Sequence, residues 1–474
     1  MKTKTFPLCV DLDETLILSD IFQESIMALL RKNVFYLFLF PIWLFFGKAY
    51  FKTKIASLAS IDPDLLPYNK PFLEWLKQQK EAGRPLWLCT TSTQKLVQPI
   101  LDHLSIFTGV ISDIETNDLS GEAKANELLK NFGDKQFDFC GNKSTDIHIW
   151  KHSINAITVN CDNRLLKKIS AVATLEAHFH PSGNKLKSII KAFRPHQWAK
   201  NILLFIPPLM AHKISDPDIL FPSIIAFFSF GMCASSVYLL NDLVDLPADR
   251  KHPKKKSRPL ASGNMSIIEG FLLIPLLFII SFSLAFQIPG NFALILLVYF
   301  SLTTIYSFYL KRIVLVDIIC LAGLYTIRIV AGGYATDVPI SFWLLLFSIF
   351  LFSSLAMVKR YAELESSRRL GKLTAAGRGY HIEDLQIIQS LGVTSGYLSI
   401  LILALYINNP SVEALYRNPK IIWAVCILEL YWISRVWLIA HRGKMNEDPV
   451  VFALKDPVSI GILTIAGILF LLAS

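Results

Sequence analysis

Apolar and polar positions along this chain change rhythm near residue 185. Before that point, short apolar runs at 6–10, 85–89 and 137–140 each end abruptly in polar residues. Runs of that length, apolar throughout and closed by polar clusters, predict strands buried on both faces of a parallel sheet. The first leads into Asp11-Leu12-Asp13-Glu14-Thr15, the second into Thr90-Thr91-Ser92, and the third into Gly141-Asn142-Lys143-Ser144-Thr145-Asp146. Between the second and third, Gly121-Glu122-Ala123-Lys124-Ala125 opens a helix. Beyond residue 185 the apolar blocks lengthen to about 20 residues, enough to cross a bilayer core. Nine spans are expected, at about 198–214, 219–243, 266–287, 291–310, 315–335, 340–358, 386–408, 420–440 and 457–474. The pattern predicts two domains: an α/β domain over 1–183 and an all-α membrane bundle over 184–474, parted at Pro181-Ser182-Gly183-Asn184-Lys185.

Inside the first domain, residues 19–84 form an insertion between the first two strands. Its centre, 34–46, is almost wholly apolar, carries Pro41 midway, and is flanked by Arg31, Lys32, Lys48, Lys52 and Lys54. That is too short for a span. A cap lying on the membrane surface and admitting a lipid phosphate is expected; the alternative is a buried cap core.

Composition sharpens the division. The 474 residues are 53% hydrophobic and only 18% charged, with 33 Phe, which excludes an ordinary soluble enzyme. A net charge of +10 suggests nucleic acid until its distribution is seen. The connections at 250–258, 311–312, 359–378 and 441–455 hold 17 Lys and Arg, against about three in the alternate set. That asymmetry is the positive-inside signature, so the basic connections face the cytoplasm and no nucleic-acid partner is expected. Nine spans would put the first domain on the same side and the C-terminus across the membrane. The expectation is a multi-pass protein of the cytoplasmic (inner) membrane with its sites facing the cytoplasm; an oligomer is compatible with it. Seven cysteines show no metal-ligand spacing and read as apolar fillers, and the first residues carry no cleavable leader pattern.

Two acid clusters carry the candidate chemistry. Asp11 and Asp13 lie two apart at the end of a strand, so both point the same way, at the end of a sheet where open α/β folds place ligands. One suits attack on phosphorus, the other proton transfer. At the mouth of the second span, Asn241-Asp242-Leu243-Val244-Asp245-Leu246-Pro247-Ala248-Asp249 precedes a basic run through Arg258. Carboxylates there are costly to bury and imply function. Their i, i+3, i+7 spacing can set all three on one helical face, where they could hold Mg²⁺ on a diphosphate. Pro247 should end the helix near Asp245 and leave Asp249 on a loop.

The order Asp-x-Asp-x-Thr, strand-Thr, Lys and late acid over about 5–180 resembles the haloacid dehalogenase (HAD) superfamily, implying a Rossmannoid phosphatase with a helical cap. The resemblance gives Asp11 the nucleophile's role and Asp13 that of general acid, Thr90 and Lys124 the phosphoryl group, and Asp146 with Asp11 and Asp13 the Mg²⁺. Asn142 stands where that family usually carries an acid, and a degenerate, scaffolding domain is the alternative.

Asn-Asp-x-x-Asp-x-x-x-Asp at 241–249 is similar at every fixed position to the UbiA superfamily, which implies Mg²⁺-diphosphate duty for Asp242, Asp245 and Asp249 with Asn241 assisting. The runs 194–201, 252–263, Tyr306-Ser307 with 310–312, Asp317, Arg328 with 331–333, 359–363 and 448–453 resemble its decaprenyl-phosphate phosphoribosyltransferase branch. That implies transfer of 5-phosphoribose from phosphoribosyl diphosphate to a polyprenyl phosphate. Lys200, Arg258, Tyr306, Lys311, Arg328, Lys359 and Arg360 would bind the phosphates, and Asp317 would take a second metal or pair with a cation such as Arg328. The rival is a prenyltransferase acting on an aromatic or quinone acceptor, with a regulatory or degenerate HAD domain; it usually carries a second Asp-x-x-x-Asp cluster, where this chain offers only Asp317. Joined, the domains suggest a relay in which the HAD domain removes the 5-phosphate of the lipid product.

Overall fold

Along the first strand, Leu8 and Val10 enter one hydrophobic cluster while Cys9 enters another, the two-residue period of a strand buried on both faces. The computed structural model describes residues 6–113, 121–180, 183–371, 379–409, 416–445 and 448–473. The chain divides into two compact units, one of residues 1–193 with 238–274 and the other of 194–237 with 275–474. This grouping differs from the expected division at 183/184 in placing residues 238–274, with the acid motif at 241–249, alongside the N-terminal residues. Pro181 and Ser182 of that boundary lie outside the described residues.

The first unit holds six parallel strands: β1 (Leu8–Asp11), β2 (Leu86–Thr93), β3 (Gly109–Asp113), β4 (Asp138–Gly141), β5 (Asn155–Val159) and β6 (Thr174–Phe179). Their order is β3-β2-β1-β4-β5-β6. The winding reverses between β1 and β4, and the crevice at the carboxyl ends of those strands is where such sheets take ligands. Asp11 pairs with Cys89 in register, which sets Thr90 one residue beyond it.

Helices α1 (Ile21–Lys32), α2 (Tyr36–Phe45) and α3 (Lys48–Leu58) form the insertion, followed by α4 (Lys70–Glu81). The cap is shorter than the expected 19–84. Phe72 and Leu76 of α4, one helical turn apart, are fully buried with Leu8, Val10 and Leu86, so α4 belongs to the layer covering the sheet. Helix α5 (Gln94–Leu104) joins it there, while α6 (Glu122–Phe132) packs on the opposite face through Ala125 and Leu128. All seven cysteines are buried and unpaired.

Among the described residues, six helices are long and apolar enough to cross a membrane: Pro217–Val244, Ile267–Ala285, Val316–Thr336, Phe342–Arg369, Ile382–Ile407 and Pro419–His441. Helices Phe292–Phe308 and Pro457–Ala473 are apolar but shorter. The expected span at 198–214 is instead a tight 3-10 run, Pro195–Phe205, followed by the five-residue helix Ile206–Met210. Proline lacks the N–H of a regular helix, and Pro195, Pro207 and Pro208 all fall here. The segment also presses backbone against backbone, since a Cβ on Gly332 would lie 2.1 Å from the Leu204 carbonyl oxygen. Gly332→Ala is therefore expected to destabilise the second unit by about 1–3 kcal/mol, read as a lowered Tm in detergent. Gly392 and Gly396, four apart on Leu385–Ile407, similarly admit Trp437 and Ile433 at close range.

Candidate functional site

In the first unit, Lys124 reaches from α6 to donate to Asp11 Oδ1 at 2.5 Å, and both side chains are buried. Burial opposes the lysine's charge, but Asp11 and Asp146 together hold its pKa above the ordinary value. Asp13 Oδ1 accepts the Ile21 N–H at 2.8 Å, tying the β1 loop to the start of α1. Burial first, then Asp20 and Asp11, pushes the Asp13 carboxyl well above the usual carboxylate range. Asp146 Oδ2 accepts the backbone N–H of Asn142 and Lys143 at 3.1 and 2.9 Å. Burial, then Asp11, lifts Asp146 to about 6. Thr90 is buried, its Oγ1 accepting the Ser92 N–H at 3.1 Å.

Asn142 lies across from Glu14 (Nδ2 to Oε2, 3.4 Å), while its own carbonyl oxygen is buried without a hydrogen-bond partner. An orphaned carbonyl oxygen between carboxylates suits a hard cation. Beside it opens a cavity of about 470 Å³ lined by Asn142, Asn160, Arg164 and Lys168 among others. Arg164 and Lys168 suit an anionic substrate; their i, i+4 spacing on a strongly amphipathic helix was the signal for them in the sequence.

Also in the first unit, the helix Pro217–Val244 stops just before Asp245, as Pro247 requires. Asp249 does not sit on a loop. A new short helix, Leu246–Lys251, starts with Pro247 in its first turn, a position where the missing N–H costs nothing. Asp242 and Asp249 are buried, and one guanidinium nitrogen of Arg258 donates to both, at 2.9 Å to Asp242. Lys255 adds a longer ion pair to Asp249 at 3.9 Å. Burial raises the Asp249 pKa, and Arg258 pulls against that rise. Asp245 is half-buried at the junction of the two helices, as is Asn241. Two carboxylates converging on a single cationic atom is a donor pair that Mg²⁺ accepts, with phosphate and water oxygens completing its shell. Among the described residues, no group of three or more His, Cys, Asp or Glu is placed to hold a metal without such help.

The second unit gathers the remaining cations. Lys200 and Lys359 both donate to Asp448 Oδ2 at 2.9 Å, and the Tyr325 hydroxyl donates to Oδ1 at 2.9 Å. Burial alone would raise the Asp448 pKa, but Lys359 and Lys200 hold it far below the carboxylate range. Arg328 lies over the Tyr299 ring at 4.8 Å and donates to Asn201 Oδ1 at 3.1 Å and to the Tyr299 hydroxyl at 2.9 Å. Two lysines thus share one carboxylate, and Arg328 stands near them over the Tyr325 ring at 5.8 Å. Lys311 stands half-buried in the turn Leu310–Arg312.

Asp317 is fully buried, accepting from Arg360 Nε and from the Tyr380 hydroxyl, each at 2.5 Å. Arg360 further donates to the Tyr306 hydroxyl at 3.1 Å. The cation expected beside Asp317 is therefore Arg360, where Arg328 had been the example. Asp448, Asn201, Tyr299 and Tyr325 escaped the sequence reading as site residues, because their partners lie up to 248 positions away. Asp448→Asn leaves the buried Lys200 and the partly exposed Lys359 on a neutral amide, and a loss of about 2–4 kcal/mol is expected, read by thermal unfolding in detergent.

A family model described as the UbiA prenyltransferase family matches residues 204–455, more than half the chain. The chain belongs to the UbiA prenyltransferase family. Its relatives include the uncharacterized protein y4nM of Sinorhizobium fredii, 32% identical over 96% of this chain and 89% of that protein. The nodulation protein NoeC of Azorhizobium caulinodans is 37% identical over 60% of this chain and 92% of its own. A decaprenyl-phosphate phosphoribosyltransferase of Mycobacterium tuberculosis is 39% identical over 45% of this chain and 73% of its own. As a UbiA member the chain is a membrane transferase.

Proposed function

We propose that this UbiA-family chain transfers 5-phosphoribose from phosphoribosyl diphosphate to a polyprenyl phosphate, and that its N-terminal unit, of HAD type, then removes the 5-phosphate. The observation that carries the first part is the gathering of Lys200 and Lys359 on Asp448, with the buried Arg328 beside Tyr325, which also bonds Asp448. A sugar 5-phosphate and a lipid phosphate are anions such cations suit, in addition to the diphosphate that either donor brings, whereas an aromatic or quinone acceptor adds no phosphate. The similarity to a decaprenyl-phosphate phosphoribosyltransferase supports phosphoribosyl transfer. Asp317 binds Arg360 and Tyr380 through its two oxygens, and we assign it to holding Arg360.

Asp242 and Asp249 would hold Mg²⁺ with Asp245 and Asn241 beside them, and the ion supplies charge neutralisation for departing diphosphate. Arg258, displaced from the two carboxylates, is close enough to grip a diphosphate oxygen. The lipid phosphate is already anionic, so its oxygen attacks the anomeric carbon without a strong base. That carbon's bond to diphosphate breaks, and diphosphate leaves with the bonding pair. Within the second unit, Lys200, Lys359 and Arg328 suit phosphate oxygens, as do Tyr306, Lys311 and Arg360.

In the N-terminal unit, Asp11 suits attack on phosphorus, with Lys124 fixing its orientation. Asp13 stays protonated into the range where it can give a proton to the leaving sugar oxygen, then take one from the hydrolytic water. Thr90 and Lys124 suit the phosphoryl oxygens. Asp146 and the Asn142 carbonyl would hold Mg²⁺, which supplies charge neutralisation there. Asp146 is raised, so it is protonated below about 6 and must lose that proton to bind metal. Metal affinity of this unit is expected to fall by up to about tenfold per pH unit below that point, measurable with Mn²⁺ by electron paramagnetic resonance. The basic connections, the N-terminal unit and both sites are read as cytoplasmic, in the inner membrane.

Membranes given labelled phosphoribosyl diphosphate and polyprenyl phosphate test the whole reading. Label should enter the lipid fraction and lose its 5-phosphate with time; a lipid that stays unlabelled under all conditions ends it.

A further inference from the structure

Helix α2 is apolar on every side, yet only one side is packed. Tyr36, Phe40 and Trp43 face inward, where Trp43 is buried with Leu29 and Ile55, and Phe40 meets Phe51 edge-on at 5.7 Å. The other face carries Phe35, Phe38, Ile42 and Phe45, at spacings of three and four, with Phe46 at its end. Phe35 is 67% exposed, Phe38 70% and Phe45 89%. The buried-core expectation for 34–46 therefore fails for this face. Isolated exposed apolar residues need no explanation, but a contiguous aromatic face does.

The base of the same hairpin identifies what covers it. Within the first unit, Glu24 of α1 takes a two-pronged bond from Arg250 at 2.6 and 3.1 Å. Gln23 Oε1 accepts the backbone N–H of Ile268 at 3.2 Å, in the first turn of the span Ile267–Ala285. Leu18 packs on Gly263, where a Cβ would come within 2.5 Å. The cap thus stands on the connection between two membrane spans, and that connection marks the bilayer surface. Charge agrees with this. Lys32 and Lys48 are exposed at the two ends of α2, Lys52 and Lys54 follow on α3, and no Asp or Glu occurs between Glu24 and Asp62.

We propose that α2 and α3 form a membrane-surface anchor: the Phe35–Phe38–Ile42–Phe45 face enters the acyl region of the leaflet, and the flanking lysines meet anionic headgroups. A ten-residue helix is about 15 Å long, half the hydrocarbon thickness, so it lies in the interface and does not cross. The anchor holds the N-terminal unit against the lipid surface, where a substrate with a prenyl tail presents its polar head. This inference rests on the membrane assignment alone and not on which donor is used, so a failed transfer assay leaves it standing.

The test uses the full chain in vesicles of phosphatidylcholine and phosphatidylglycerol, with Phe38→Cys and Phe45→Cys carrying a bimane label. Native cysteines are all buried, and Lys77→Cys on the exposed side of α4 serves as the control. Brominated acyl chains should quench the Phe38 and Phe45 labels by about twofold or more while leaving Lys77 unchanged. Equal brightness at all three positions overturns the proposal. So does a signal at Phe45 that follows protein density and ignores bromine, because the face would then belong to a second copy of the chain.

Discussion

Asp242→Asn is expected to lower transfer to the lipid by about 10³-fold, with the folded protein retained. The amide keeps the shape of the carboxylate, and Asp249 still holds Arg258, so the local fold should survive. Only the charge that would share Mg²⁺ with the diphosphate is lost. Asp249→Asn should behave alike. Arg258→Ala separates this account from simple ion pairing. It frees two buried carboxylates from their internal cation, so Mn²⁺ should bind the substrate-free protein more tightly than in the parent, while transfer still falls. Weaker Mn²⁺ binding in that variant would mean that the carboxylates are organised by Arg258 and are not a metal site.

Asp11→Asn should leave lipid labelling intact and abolish removal of the 5-phosphate, a loss of at least about 10⁴-fold for a missing nucleophile. Lys124 would keep a polar partner of similar shape, so a folding defect is not the expected cause. The product lipid should then carry two phosphates in place of one. If its phosphate content is unchanged by the substitution, the N-terminal unit has another substrate or none, and the relay is wrong. Asn142→Asp is the useful companion. It restores the charge that the family pattern leads one to expect and should raise metal affinity through the same orphaned position.

How far the sequence carried this picture depended on the range of the signal. Strands β1, β2 and β4 were legible because each is a short apolar run cut off by polar residues, and those polar residues form the candidate site. The break at Asp245 was legible from Pro247 alone. What followed it was not, since a proline that stops one helix can equally begin the next, and Asp249 sits on that second helix. The segment at 198–214 read as a span because apolar composition is blind to helical pitch. Paired prolines and a glycine 128 residues away, Gly332, decide its shape. Asp448 was visible as part of a family-like run, but its two lysines lie 248 and 89 positions before it, and no local spacing reveals that. Arg328 was flagged by cost, as a charge in an apolar segment. Its partners Tyr299 and Asn201 are ordinary residues until the fold brings them to it.

One donor-swap experiment tests the central claim most directly. Purified protein in lipid vesicles, with Mg²⁺ and polyprenyl phosphate, is offered labelled phosphoribosyl diphosphate, and in a parallel vessel a labelled prenyl diphosphate with an aromatic acceptor. The account predicts label in the lipid from the sugar donor, lost in Asp242→Asn, and none transferred from the prenyl donor. Transfer from the prenyl diphosphate, with the sugar donor inert, would contradict it.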